Sequence, residues 1–147
     1  MENHSCKTYF AVQLEFDREK NIALLHERRD CTPEEIGIFN KDEVEKFIVG
    51  NLGVTPKWKR HSFIIGYNEE YDADVNVMIR ETIKDLQGKE EKLKRLKERF
   101  GAELTLKIVP YISSQSKETP QSLSPDKDIV DFLYNSETSL DIDYYIV

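Results

Sequence analysis

The feature that most constrains the fold is a stripe of large apolar side chains in the middle of the chain. Between residues 74 and 100 they recur at intervals of three, four and seven residues, the spacing that places side chains on one side of an α-helix. The stripe consists of Val75, Ile79, Ile83, Leu86, Leu93, Leu96 and Phe100. Gly88 interrupts it, but the register continues across the glycine. We therefore predict one long helix over residues 74–100, buried along this stripe.

A β-sheet is the predicted partner of this helix, because several other segments alternate apolar and polar side chains. Strands are predicted at residues 9–16, 22–28, 58–67, 103–111 and 140–147. We expect the first two to pair as a hairpin. In the third, Phe63, Ile65 and Tyr67 are predicted to share one side.

Capping residues and apolar spacing predict three shorter helical segments: a single turn at 32–35, a helix over 41–51, and a helix that begins at Ser124. Each predicted strand has one apolar and one polar face, which is typical of a sheet with one side in water. The fold class is therefore predicted as α+β, with a single antiparallel or mixed sheet and helices mainly on one face. The length of 147 residues corresponds to one domain, residues 1–147.

The composition and the apolar pattern of the chain argue against several classes of protein. Lys and Arg number 21 and Asp and Glu 28, so the formal net charge is −7, which disfavours nucleic acid as a partner. No apolar run approaches the roughly 18 residues of a membrane span, and the opening residues do not resemble a signal peptide. The two cysteines form no C-x-x-C pair. We expect a cytoplasmic protein with no membrane association and no cofactor.

Asp141 and Asp143 are the sharpest candidate for chemistry. Two positions apart on a strand, they would project from one face about 6.6–6.8 Å apart. That separation suits a pair that binds a divalent ion or shares acid and base roles. The alternative is a solvated strand face whose charge is neutralised by a lysine on the neighbouring strand, and Lys107 is the obvious candidate.

Two further patterns suggest binding. The basic run at residues 57–61 surrounds Trp58 and includes Arg60, so it could grip phosphate or stack on a base. The favoured interpretation is an edge strand with its charges in water and Trp58 packed beneath the preceding loop. Beyond Tyr9, the chain carries six more tyrosines, a residue type enriched at binding surfaces but also common at core margins. Trp58, Arg60 and Tyr145 are therefore the candidate binding residues.

No catalytic residue is assigned, because the common catalytic motifs are missing. The sequence contains no G-x-S-x-G, P-loop, G-x-G-x-x-G, H-E-x-x-H or EF-hand spacing. With only six glycines, a phosphate-cradling loop would be hard to build.

Three segments, in this order, resemble the uncharacterised bacterial domain-of-unknown-function family 4279. They are LGVTP at 52–56, FGAELTL at 100–106, and LSP at 123–125 followed by LDIDY at 140–144. The likeness covers roughly residues 43–147. Before residue 41 the sequence departs from the family pattern, with an extra segment at 22–40. The resemblance implies a small intracellular bacterial α+β domain, and it carries no known catalytic residues.

The leading hypothesis is a non-enzymatic protein-binding module, comparable to an immunity-type inhibitor that occupies a basic partner. Two alternatives stay open. One is a small enzyme or divalent-metal-binding protein that uses Asp141 and Asp143. The other is a structural homo-oligomer, such as a homodimer, whose exposed sheet face is its own interface.

Overall fold

The structure, a computed structural model, describes residues 5–15, 22, 39–59, 61–112 and 124–146. These residues form a mixed six-stranded sheet and four α-helices, which confirms the predicted α+β class. In chain order the elements are β1 (Ser5–Gln13), α1 (Lys41–Phe47), β2 (Lys57–Lys59), β3 (Ser62–Tyr71), α2 (Val75–Ile83), α3 (Glu90–Phe100), β4 (Glu103–Ile112), α4 (Lys127–Asn135), β5 (Ser139–Ile142) and β6 (Tyr145–Ile146). α1 continues directly into a π-helical turn, Ile48–Leu52.

Some predicted features lie outside the described residues. They are the strand at 22–28 beyond Ile22, the helical turn at 32–35 and the candidate binding residue Arg60. Within the described ranges, no helix combines the length and the apolar character needed to cross a membrane.

β1 is the central strand of the sheet. The strand order is β2-β3-β1-β4-β5, and β6 pairs with β4 beyond the end of β5. β1 pairs antiparallel with both β3 and β4, whereas β5 and β6 run parallel to β4. Because Phe10 and Val12 have partners on both sides, the predicted hairpin between residues 9–16 and 22–28 is wrong.

All four helices pack on one face of the sheet, which we call the covered face. Alternate side chains of the strands are fully buried there, including Phe10 and Val12 of β1 and Leu106 of β4. Six of the seven residues of the predicted apolar stripe are also buried in this core: Val75, Ile79, Ile83, Leu86, Leu93 and Leu96. The burial that the spacing predicts is therefore confirmed for these six residues.

The predicted long helix over 74–100 is wrong in one respect, because the span is divided into α2 and α3. Residues 84–88 form turns, and Gly88 has a φ of +82°, which a right-handed helix cannot contain. Leu86 remains fully buried in this break. Lys89, the residue after Gly88, donates from Nζ to the carbonyl oxygen of Leu52. The apolar side chains before and after the break are therefore buried in the same core, although the backbone changes direction between α2 and α3.

A bulge at Gly66 shapes β3. Gly66 and Tyr67 together lie opposite Tyr9, and Gly66 has a φ of +69°. The extra residue moves Tyr67 to the face opposite Phe63 and Ile65, so the predicted sharing of one side is wrong. A Cβ at position 66 would lie 2.1 Å from the carbonyl oxygen of Thr82, so the glycine also allows α2 to approach the sheet.

The predicted strand at 58–67 is in fact two strands. β2 and β3 form an antiparallel pair, with β2 at the edge of the sheet. Lys57 and Lys59 of this edge strand are exposed. The predicted edge position is confirmed, and these two lysines have their charges in water as predicted.

Pro110 explains why the last strand is interrupted. The backbone amide of Asp143 donates to the carbonyl oxygen of Ile108. Ile108 therefore directs its backbone groups toward β5 and β6, and so does every second residue of β4 counted from Ile108. Pro110 lies two residues further on and has no N–H to donate. Regular pairing stops at Ile142 and resumes at Tyr145, so the predicted strand at 140–147 is split around Asp143.

Arg80 ties α2 to α4. Its guanidinium bonds both carboxylate oxygens of Asp128, at 3.1 and 3.0 Å, and also reaches Asp126. The hydrogen bonds from Arg80 hold the pKa of Asp128 below its ordinary value. Asp126 is the N-cap residue of α4, two residues after the predicted cap at Ser124.

Candidate functional site

The candidate site is the opposite face of the sheet, which no described helix covers and which we call the open face. Strand pairing places its side chains in rows that cross the sheet. The first row holds Tyr71, Ser5, Tyr111 and Tyr145. The second row holds Glu69, Lys7 and Val109. The third row holds Tyr67, Tyr9, Lys107 and Asp141.

Tyrosines on neighbouring strands stack in two pairs on this face. The ring centroids of Tyr9 and Tyr67 are 6.2 Å apart, and those of Tyr111 and Tyr145 are 5.3 Å apart. Tyr67, Tyr71 and Tyr145 nevertheless expose about half of their surface or more, at 50%, 64% and 49%. Large rings are therefore held in fixed positions and still presented to solvent.

Lys7 lies at the centre of the open face. Its ammonium is 4.9 Å from the ring centroid of Tyr111, donates to the hydroxyl of Tyr111 at 3.4 Å, and lies 3.7 Å from the carboxylate of Glu69. The hydrogen bond to Tyr111 is the main reason why the pKa of Lys7 is raised. The Tyr67 hydroxyl donates to the same Glu69 carboxylate at 2.8 Å, which raises the pKa of Tyr67.

Asp141 is paired with Lys107, directly opposite it on β4. This is the lysine that the sequence indicated as the neutralising partner. The hydrogen bond to Asp141 raises the pKa of Lys107, and the charge of Asp143 adds to the effect. Asp143 is exposed on the same face and makes no ion pair with any cation that the structure describes.

A divalent ion at Asp141 and Asp143 would have to displace Lys107. Among the described residues, no group of three or more His, Cys, Asp or Glu side chains is placed to hold a metal ion. The geometry thus favours an ion-paired strand face at this position.

Two hollows lie on the open face, one on each side of the Tyr9–Tyr67 pair. The first, which we call the tyrosine hollow, has a volume of about 360 Å³. It is lined by Lys7, Tyr9, Ile64, Tyr67, Val109, Tyr111, Asp143 and Tyr145. The second, which we call the lysine hollow, has a volume of about 630 Å³ and includes Lys57, Lys59 and Lys107 in its lining. Tyr9 and Tyr67 line both hollows, so their stacked rings form a ridge between them.

Two of the predicted binding residues, Trp58 on β2 and Tyr145 on β6, lie toward opposite sides of the sheet. Tyr145 lines the tyrosine hollow beside Asp143, whereas the ring of Trp58 packs on Phe63, at 4.9 Å, and on Phe39, at 5.9 Å. Trp58 is half-buried against the core, and its Nε1 has no hydrogen-bond acceptor among the described residues. Arg60, the third candidate, lies outside them.

Sequence reasoning missed Lys7 and Tyr9 as parts of a site. The alternation of β1 was a usable signal, because it places Lys7 and Tyr9 on the face opposite Phe10. No comparable signal indicates that Lys7 meets Tyr111, a residue 104 positions away.

One comparison with known proteins gives a match. The family model described as "Domain of unknown function (DUF4279)" matches residues 42–147, which confirms the resemblance carried by the three sequence segments. No curated protein and no solved structure matches the chain. The matched region runs from α1 to β6, so it includes every strand of the open face except β1.

Proposed function

We propose that the chain, which belongs to the family Domain of unknown function (DUF4279), is a non-enzymatic module that binds a basic protein through its open face. The observation that carries the proposal is the set of exposed tyrosines on a sheet face that no described helix covers. Tyr67, Tyr71 and Tyr145 lie on strands, yet each exposes about half of its surface or more. Tyrosine provides a large, rigid contact area at low entropic cost, which is why it is enriched at protein interfaces.

The charged groups of the open face support binding over catalysis. A lysine that acts as a base or nucleophile at neutral pH needs a lowered pKa. The pKa values of Lys7 and Lys107 are instead raised by their hydrogen-bond partners, so both side chains stay ammonium ions. Paired, permanently charged groups fix the register and orientation of a docked surface.

The net charge supports a basic partner. At −7, the chain attracts a positively charged protein over a distance and raises the rate of encounter. An inhibitor that covers a basic active surface, as an immunity-type protein does, would have these properties. The same face could also pair two copies of the chain, and the experiment below distinguishes the two cases.

The test is capture of the partner from native cells with three bait variants. We expect the wild-type chain to retain a basic protein, and Tyr67→Ala and Tyr145→Ala to lose it. Tyr134→Ala is the matched control, because Tyr134 is 83% exposed on α4, which packs on the other face. Equal capture by all variants, an acidic captured protein, or self-association of the pure chain that Tyr67→Ala abolishes would each contradict the proposal.

The salt dependence of association provides a second test with the captured protein. The Debye length falls from about 30 Å at 0.01 M salt to about 8 Å at 0.15 M, so charge attraction over a distance is screened. We expect the association rate constant to fall several-fold over this range while the dissociation rate constant changes less. An association rate that does not respond to salt would show that net charge has no part in recognition.

A further inference from the structure

The tyrosine hollow has the surfaces that surround a cation with a long apolar stem. The first and third rows of the open face contribute the ring pairs Tyr111–Tyr145 and Tyr9–Tyr67. These rows lie four residues apart along a strand, about 13 Å, and enclose the second row. Val109, which belongs to this row, and Ile64 provide apolar surface in the hollow.

The hollow already contains one cation–ring contact. The ammonium of Lys7 lies 4.9 Å from the centroid of the Tyr111 ring, within the roughly 6 Å over which a ring face attracts a cation. In this hollow, therefore, the Tyr111 ring is close enough to a cation to attract it.

The charged groups in the hollow and beside it leave one carboxylate available. Lys7 lies near Glu69, and Lys107 is paired with Asp141. Asp143 also lines the hollow, is exposed, and has no ion-pair partner among the described residues. One guest cation beside Asp143 would neutralise the remaining negative charge.

Arginine fits these surfaces better than lysine does. Its guanidinium is planar and weakly hydrated, stacks on aromatic rings, and can bond both oxygens of one carboxylate. Its methylene stem can lie along apolar surface while the charged end stays near water.

We propose that the tyrosine hollow binds one arginine side chain of the partner, stacked on its tyrosine rings and paired with Asp143. This proposal rests on the proposed function, since it names the chemistry by which the open face recognises a basic protein. It states which type of side chain the tyrosine hollow binds, and it makes no assignment for the lysine hollow.

The test is an NMR titration of the full chain with N-acetyl-arginine amide. We expect this probe to shift the ring resonances of Tyr9, Tyr67, Tyr111 and Tyr145. The corresponding citrulline compound, which has nearly the same shape and no charge, should leave them unchanged. Asp143→Asn should weaken binding of the arginine probe by roughly tenfold. Asp131→Asn, a carboxylate on α4 paired with Lys127, is the matched control and should leave binding unchanged.

Three results would overturn the arginine assignment: equal shifts with the citrulline compound, equal affinity for N-acetyl-lysine amide, or unchanged binding by Asp143→Asn. The variant lies on an exposed position, and an unchanged melting temperature would show that it is folded. If the captured partner is lost with Tyr67→Ala but retained by Asp143→Asn, the proposed function stands and the arginine assignment fails. If the arginine probe behaves as expected but Tyr67→Ala captures the partner as well as the wild-type chain does, the proposed function fails instead.

Discussion

The two faces of the sheet are made by the same strands and differ in nearly every physical respect. On the covered face, Phe10, Val12 and Leu106 are fully buried beneath helices. On the open face, their neighbours Tyr9 and Lys107 contact other side chains but keep access to solvent. The covered face holds the fold together by removing apolar surface from water. The open face contributes less to stability, so its residues are available for recognition.

Polar groups show the same contrast. Thr8 and Thr82 are buried on the covered face, and their hydroxyl oxygens lie 2.7 Å apart in a hydrogen bond, as burial demands. On the open face, water can replace a lost partner, so an exposed ion pair contributes about 1 kcal/mol or less. Substitutions on the two faces should therefore have very different costs.

The largest expected effect is that of Gly66→Ala, where the covered face is most tightly constrained. The new Cβ would lie 2.1 Å from the Thr82 carbonyl oxygen, and the φ of +69° also disfavours alanine. Because backbone must move, we expect a loss of more than about 4 kcal/mol in the free energy of unfolding, measured by chemical denaturation. Gly50→Ala is the control, since nothing lies within 4 Å of its added Cβ. A loss below about 1 kcal/mol at Gly66 would show that α2 does not approach the bulge.

Truncation of core leucines should cost somewhat less. Leu86 and Leu96 are both fully buried in the core, so Leu86→Ala and Leu96→Ala should each cost about 2–5 kcal/mol. The melting temperatures should not depend on protein concentration, because both side chains are buried within one chain. Tyr67→Ala on the open face should cost about 1 kcal/mol or less. If Leu86→Ala costs less than Tyr67→Ala, the assignment of the two faces is reversed.

Stability should respond to opposite ends of the pH scale in the helix layer and on the open face. The pKa of Asp128 is lowered from 3.8 by Arg80, so the stabilisation is present above pH 3.8 and is lost as pH falls through the folded pKa. The pKa of Lys107 is raised from 10.5 by Asp141, so that stabilisation is present below pH 10.5 and is lost as pH rises through the folded pKa.

Melting curves of Arg80→Gln and Lys107→Gln measure these two pH effects. The difference in melting temperature from wild type should vanish in acid for Arg80→Gln and in alkali for Lys107→Gln. If both differences vanish at the same end, at least one of the two pairs does not form in solution.

The smallest expected effect is that of divalent ions. A ligand that binds only the folded state raises the melting temperature. Since Asp141 is held by Lys107, we expect Mg²⁺, Mn²⁺ and Ca²⁺ to produce no measurable shift. An increase of several degrees that disappears in Asp143→Asn would restore the metal-binding alternative.

Periodicity was enough to predict the covered face. The helical stripe and the alternating strands indicated which side chains are buried, because burial depends mainly on local patterns of apolar residues. Periodicity failed where one glycine changes the backbone path. Gly88 ends a helix without breaking its apolar register, and Gly66 moves Tyr67 to the other face without changing the strand pattern.

The candidate site was less predictable than the fold. The pairing of Asp141 with Lys107 can be predicted from the sequence, because both residues occupy the polar faces of predicted strands. The contact of Lys7 with Tyr111 depends on the register between two strands far apart in sequence, which no local pattern specifies. The break in strand pairing at Asp143, beside Pro110 of β4, is visible only after the strands are aligned.

The central position of β1 has a kinetic consequence. β1 is seated between β3 and β4, and Ser5 pairs with Tyr71 and with Tyr111. Such sequence separations give the sheet a high contact order, which slows folding. β1 cannot complete its pairing until both β3 and β4 are in place, although it precedes them in the chain. A fragment that begins at α1 retains the matched family region but has two unpaired strand edges where β1 belongs. An added peptide of residues 5–13 could fill that gap, so this strand is the natural place to divide the protein into two complementing parts.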